Sequence, residues 1–232
     1  MEERLEKLIS YSEHLLDAFL GLFQKTIVFL PMVENSQVQS QYTVGPKAEG
    51  FMVLRFALFS SCAQDVIKLT IDNDKRTPSV TNIMTILTDE RIRHELRKRY
   101  SVWTLPRDPG SQINEDDLVN FERKEQSRLA GEFDQTFSDL KKAWDDFNAQ
   151  PWITGLRILR DKNTAHLEIR KTEEGYKPVA IESLDLKWGD LGEAVRRLEE
   201  LVLKVNLIAR QAGFAIESAK TQFDRTSKEF WR

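Results

Sequence analysis

Cysteine occurs once in this chain of 232 residues, so neither an internal disulfide nor a cysteine-built zinc site can form within it. That single thiol, Cys62, sits inside an apolar run, and such usage points to the cytoplasm. Ten glycines and seven prolines are few for the length. Scarce breakers favour long uninterrupted helices. Positive charge is not in excess either: the formal net charge is −3. A protein that grips nucleic acid through a broad basic face is usually cationic, so any such contact here must be local. The most apolar stretch, residues 51–63, carries Arg55 and falls short of the roughly 20 residues that cross a bilayer. The chain begins Met-Glu-Glu-Arg, acidic where a secretory leader is basic, so neither a membrane span nor a leader is expected. No glycine-rich phosphate loop and no Gly-x-Ser-x-Gly elbow occurs.

What is present reads as one globular domain over residues 1–232, with 41% apolar and 31% charged residues. Leu5, Leu8, Ser12, Leu15, Phe19, Phe23 and Ile27 recur at steps of three and four, the stripe of a helix ending near Pro31. Residues 34–49 are polar and hold Gly45 and Pro46, which predicts a loop. A second helix, about 51–71, is apolar on nearly all sides and belongs at the centre of a bundle. A third opens at Pro78-Ser79 and runs to about Tyr100, followed by a second irregular stretch within 101–114. Asn114 can cap a fourth helix, about 115–149, with Phe133, Phe137, Leu140, Trp144 and Phe147 on one face. A fifth spans about 151–171, and a short extended piece fits Val179–Ile181. Asp190 can cap a final long helix, about 190–228, whose stripe includes Leu191, Val195, Leu198, Val202, Val205, Ala209, Ala212 and Ile216. The expected fold is all-α, an up-and-down bundle of about six helices with two irregular loops.

Chemistry has few places to reside. The only histidines are His14, His94 and His166. His14 has no obvious partner. His94 lies in Arg91-Ile-Arg-His-Glu-Leu-Arg-Lys-Arg99, which reads either as a phosphate grip or as a solvated helix end whose cations complement the dipole. Asp72 and Asp74 lack the glycine and distal glutamate of a calcium loop and read as a turn. Ser60-Ser61-Cys62 lies in the most apolar helix, where a thiol packs rather than reacts.

His166 is different. It closes the segment Arg160-Asp161-Lys162-Asn163-Thr164-Ala165-His166, polar residues in the middle of an otherwise apolar helix. On a helix, six steps advance about 9 Å and turn the side chains roughly 120° apart. Asn163, three residues from each end, neighbours both. The segment is either a capped helix break or a site. As a site it has the parts needed to cleave RNA through its own 2′-hydroxyl: an imidazole to move the proton and a forked guanidinium to hold the phosphorane.

The same residues resemble the signature of the HEPN superfamily, an arginine followed after four to six residues by histidine, with a polar residue such as Asp161 next to the arginine. The ending Ala165-His166, the apolar helix with Arg55 and Asp65, and Leu186-Lys-Trp-Gly-Asp-Leu191 are similar to the abortive-infection AbiU-like branch. The resemblance implies a helical homodimer with the two signatures facing each other, acting as a metal-independent endoribonuclease in phage defence or a toxin–antitoxin system. It implies Arg160 and His166 as the catalytic pair, Asp161 and Asn163 as polar supports, RNA as substrate, no cofactor and a possible cognate antitoxin. The competing expectation is a non-catalytic HEPN-like scaffold or regulatory partner in which Arg160 and His166 are structural.

Overall fold

The structure, a computed structural model, describes residues 1–105, 114–161, 169–172, 175–178 and 184–232. These residues form ten helices and one small two-stranded antiparallel sheet, an all-α fold with more helices than the sequence pattern suggests. The helices are α1 (Glu2–Phe29), α2 (Pro31–Glu34), α3 (Ser36–Ser40), α4 (Gly45–Thr70), α5 (Val80–Leu87), α6 (Glu90–Ser101), α7 (Glu115–Asn148), α8 (Trp152–Leu159), α9 (Asp190–Arg210) and α10 (Ile216–Phe230). Strands β1 (Ile169–Thr172) and β2 (Gly175–Pro178) pair antiparallel, with Ile169 opposite Pro178.

The α1 stripe packs as its periodicity requires: Leu5, Leu8, Ser12, Leu15 and Phe19 are buried. Their main partner is α9, which also touches α4, α5, α6 and α7 and is the hub of the bundle. One contiguous core runs through these helices. A smaller satellite core gathers Met32, Val38, Phe51 and Trp231.

Several boundaries differ from the sequence reading. Much of the loop expected at 34–49 is helical. Asn35 caps α3 by accepting from the amides of Gln37 and Val38, and buried Val38 ties that turn to the satellite core. Gly45, at φ +71°, lets α4 begin two turns earlier than expected, with Pro46 in its first turn where a missing N–H costs nothing. The third helix is two: Asp89 accepts from the Arg91 amide and starts α6 afresh after α5. Asn114 caps α7 as anticipated, accepting from the Asp116 amide. The fifth helix does not reach residue 171, because residues 169–172 form a strand. The extended piece expected at 179–181 lies outside the described residues. Gly189, not Asp190, is the N-cap of α9; the Asp190 carboxylate instead accepts from the Lys187 amide. The long final helix breaks at Gln211, whose φ of 53° and ψ of 29° end α9 in the left-handed region.

The apolar run at 51–63 belongs to a 26-residue helix, so length no longer argues against a span. By length and composition alone, α4 and the α1–α2 stretch are each apolar enough to cross a bilayer. The buried faces of these helices build the bundle core, which makes the same demand on composition.

Candidate functional site

Helix α8 carries the first half of the expected signature. Trp152, Ile153, Gly155, Leu156 and Leu159 are buried, and Trp152 meets Phe147 edge-on at 5.2 Å. A side chain at position 155 would lie 2.7 Å from Leu186 and 2.9 Å from the Leu184 carbonyl, so only glycine lets residues 184–186 lie against α8. Helix α8 also packs on α4.

Arg160 follows directly with helical backbone angles, φ −57° and ψ −51°. Its Nε donates to Oδ1 of Asp161 at 2.7 Å, and Nη2 lies 2.7 Å from the same oxygen. The arginine side chain is 28% exposed and the aspartate 44%, so the pair stands at the rim of the packed bundle. Sequence reasoning placed both residues in the site, and the structure brings them together. A guanidinium held through Nε and one terminal nitrogen has a fixed plane, which suits a forked donor that must meet oxyanions at a set angle. Asn163 and His166 lie outside the described residues.

The other candidates fall on the structural side. His14 and His94 are exposed on α1 and α6. In the basic run of α6, Arg91 pairs with Asp89, Arg93 with Glu90, Arg97 with Asp134 and Arg99 with Glu95. Paired with carboxylates, these cations do not form a free phosphate grip. Asp72 accepts from the Asp74 amide and Asp74 from the Arg76 amide, a turn as expected. Cys62 is fully buried, and burial pushes its thiol up to about 11, against the hydrogen bond from Thr26. It packs. Among the described residues no group of three or more His, Cys, Asp or Glu side chains is placed to hold a metal ion.

Two charged groups on α4 entered the functional reading of the sequence only through the resemblance. Asp65 forms an ion pair with Lys25 at 2.7 Å, and Lys25 also donates to Ser61, a bond that ties α1 to α4. Arg55 stacks its guanidinium carbon 4.6 Å from the Trp188 ring centroid. A cation inside an apolar run was the available signal; its aromatic partner, 133 positions on, had none.

Compared with known protein families, the chain matches the family model described as AbiU2, of the HEPN type, over residues 5–230. No curated protein and no solved structure matches.

Proposed function

Because the chain belongs to the abortive-infection-related AbiU2 family of HEPN proteins, we propose that it is an endoribonuclease whose reacting groups are Arg160 and His166. The His166 imidazole takes the proton of an RNA 2′-hydroxyl, and O2′ attacks the neighbouring phosphorus. The bond from phosphorus to O5′ breaks, leaving a 2′,3′-cyclic phosphate and a 5′-hydroxyl that regains a proton. Imidazole is the side chain best suited by its intrinsic chemistry to take and return a proton near neutral pH. The Arg160 guanidinium holds the charge that builds on the phosphorane. Asp161 is a positioning residue: by fixing the Arg160 plane it lowers the ordering cost of meeting the phosphate. Asn163 orients the ring. Two such pairs, brought together across a homodimer, complete the site. A cytoplasmic setting and a protein antitoxin fit the same reading.

The observation that carries this is the held guanidinium at the rim of α8, six residues before a histidine. The same ion pair also suits a second reading, in which the segment is structural and the protein is a binding scaffold. One variant separates them. His166→Ala is expected to abolish cleavage while far-UV helicity stays unchanged. Under the scaffold reading it instead lowers the melting temperature, because a buried polar partner loses its bond, and no cleavage exists to lose. Cleavage by the variant equal to that of the parent contradicts the assignment.

A further inference from the structure

Helix α8 has two faces of opposite character. Trp152, Ile153, Gly155, Leu156 and Leu159 are buried on the inner one, while Thr154 and Arg157 are exposed and Asp161, just past the helix, is half-exposed. Residues 154, 157 and 161 follow the three-and-four spacing that lines one helix face, so they form a single polar ridge toward solvent. Arg160 lies on the flank of that ridge, one turn beyond Arg157 and about 60° round the helix from it. Between Pro151 and Asp161 the only charged residues are Arg157, Arg160 and Asp161.

Arg160 and Asp161 alone make a poor phosphate site. The aspartate holds the guanidinium at 2.7 Å, so the pair carries no net charge before RNA arrives. The last carbonyls of a helix add a partial negative charge, roughly half an elementary charge. A phosphate approaching Arg160 would therefore meet a neutral to negative surface without a further cation. Arg157 is that cation. Its side chain forms no ion pair or hydrogen bond among the described residues, whereas the arginines of α6 each face a carboxylate. Its Cβ lies about 5–6 Å from that of Arg160, so the two long side chains reach neighbouring phosphates of one strand. On a protein of net charge −3, such a local arrangement is how a nucleic acid is met.

We propose that Arg157 is a second RNA-binding residue, whose forked guanidinium holds the backbone phosphate next to the scissile one while Arg160 takes the phosphate that reacts. The inference rests on the proposed function for the identity of the anion. It adds a direction to that reading, since the ridge from Thr154 to Asp161 then tracks the strand along α8. A phosphate contact carries no base identity, so Arg157 adds affinity evenly across sequences. The flanking phosphate keeps its charge throughout the reaction. Its contact is therefore as strong in the ground state as in the transition state, and its loss is felt in KM more than in kcat.

Binding of a fluorescent single-stranded 2′-O-methyl RNA to the full chain, followed by anisotropy across a series of salt concentrations, tests it. An oligomer without free 2′-hydroxyls is bound but not cut. Arg157→Gln keeps an extended side chain of good helix propensity and removes the charge. It is expected to weaken binding by roughly tenfold and to lower the slope of log affinity against log salt by about 0.7, the share of one phosphate on a single strand. Arg157→Lys keeps the charge and is expected to keep the slope. Arg97→Gln alters net charge equally but removes an arginine already paired with Asp134, and is expected to leave the slope unchanged. On cleavable RNA, KM of Arg157→Gln rises by more than kcat falls. The proposal is overturned when Arg157→Gln, at unchanged far-UV helicity, matches the parent in affinity and slope. It is overturned equally when Arg97→Gln lowers the slope as much, or when the parent binds no RNA. A parent that binds in this manner yet cuts nothing leaves the ridge standing and removes only the nuclease. A parent that cuts RNA while Arg157→Gln binds as tightly removes the ridge and keeps the nuclease.

Discussion

Helices α9 and α10 carry one continuous hydrophobic pattern, yet they have opposite places in the molecule. In α9, ten of the residues from Leu191 to Ala209 are buried, and the helix touches five others. In α10 only Ile216 and Ser227 are buried. It is held by single anchors: Phe223 against Phe23 at 6.1 Å, the Ser227 hydroxyl donating to the Ile27 carbonyl, Trp231 Nε1 donating to the Val28 carbonyl, and Lys220 paired with Glu199 at 2.7 Å. The difference teaches that a stripe tells which face is apolar and not how much will cover it. At the middle of a bundle the stripe is met from several sides; at its edge one neighbour must suffice.

Leu198→Ala, in the fully enclosed part of α9, tests the strong side of the contrast. It is expected to cost about 2–5 kcal/mol, read from chemical denaturation, because the surroundings collapse only partly onto the void. Trp231→Ala tests the weak side. Amide exchange in α10 is expected to quicken by roughly tenfold or more while α9 keeps its protection, since α10 opens as a local unit. Equal loss of protection in both helices would mean that they form one cooperative unit after all. Gln211→Gly probes the joint between them. At φ 53° glycine is free of the side-chain penalty, so stability rises by up to about 1 kcal/mol in the same denaturation assay.

The all-α character was open to the sequence because periodic stripes and scarce breakers agree, as in α1, α7 and α9. The breaks were hidden. Asp89 and Gln211 are ordinary helix residues by composition, and the first interrupts a helix only because its carboxylate caps the next one. Gly45 and Pro46 were read as loop punctuation, although the same pair can open a helix. Arg160 was singled out by the polar segment that runs from it to His166, and Asp161 through the resemblance. That the aspartate fixes the guanidinium was not legible, because adjacent residues on a helix point in different directions and only the length of the arginine lets it turn back. Arg55 on Trp188 depends on a contact between residues far apart in the chain, beyond the reach of local pattern.

The central claim concerns the chemistry at the end of α8, and the ends of the product RNA test it most directly. Purified protein incubated with RNA in a chelator is expected to release fragments ending in a 2′,3′-cyclic phosphate and beginning with a 5′-hydroxyl. His166→Ala, with the same helicity and melting temperature, is expected to release none. The same fragments released at equal rates by parent and variant would contradict the account.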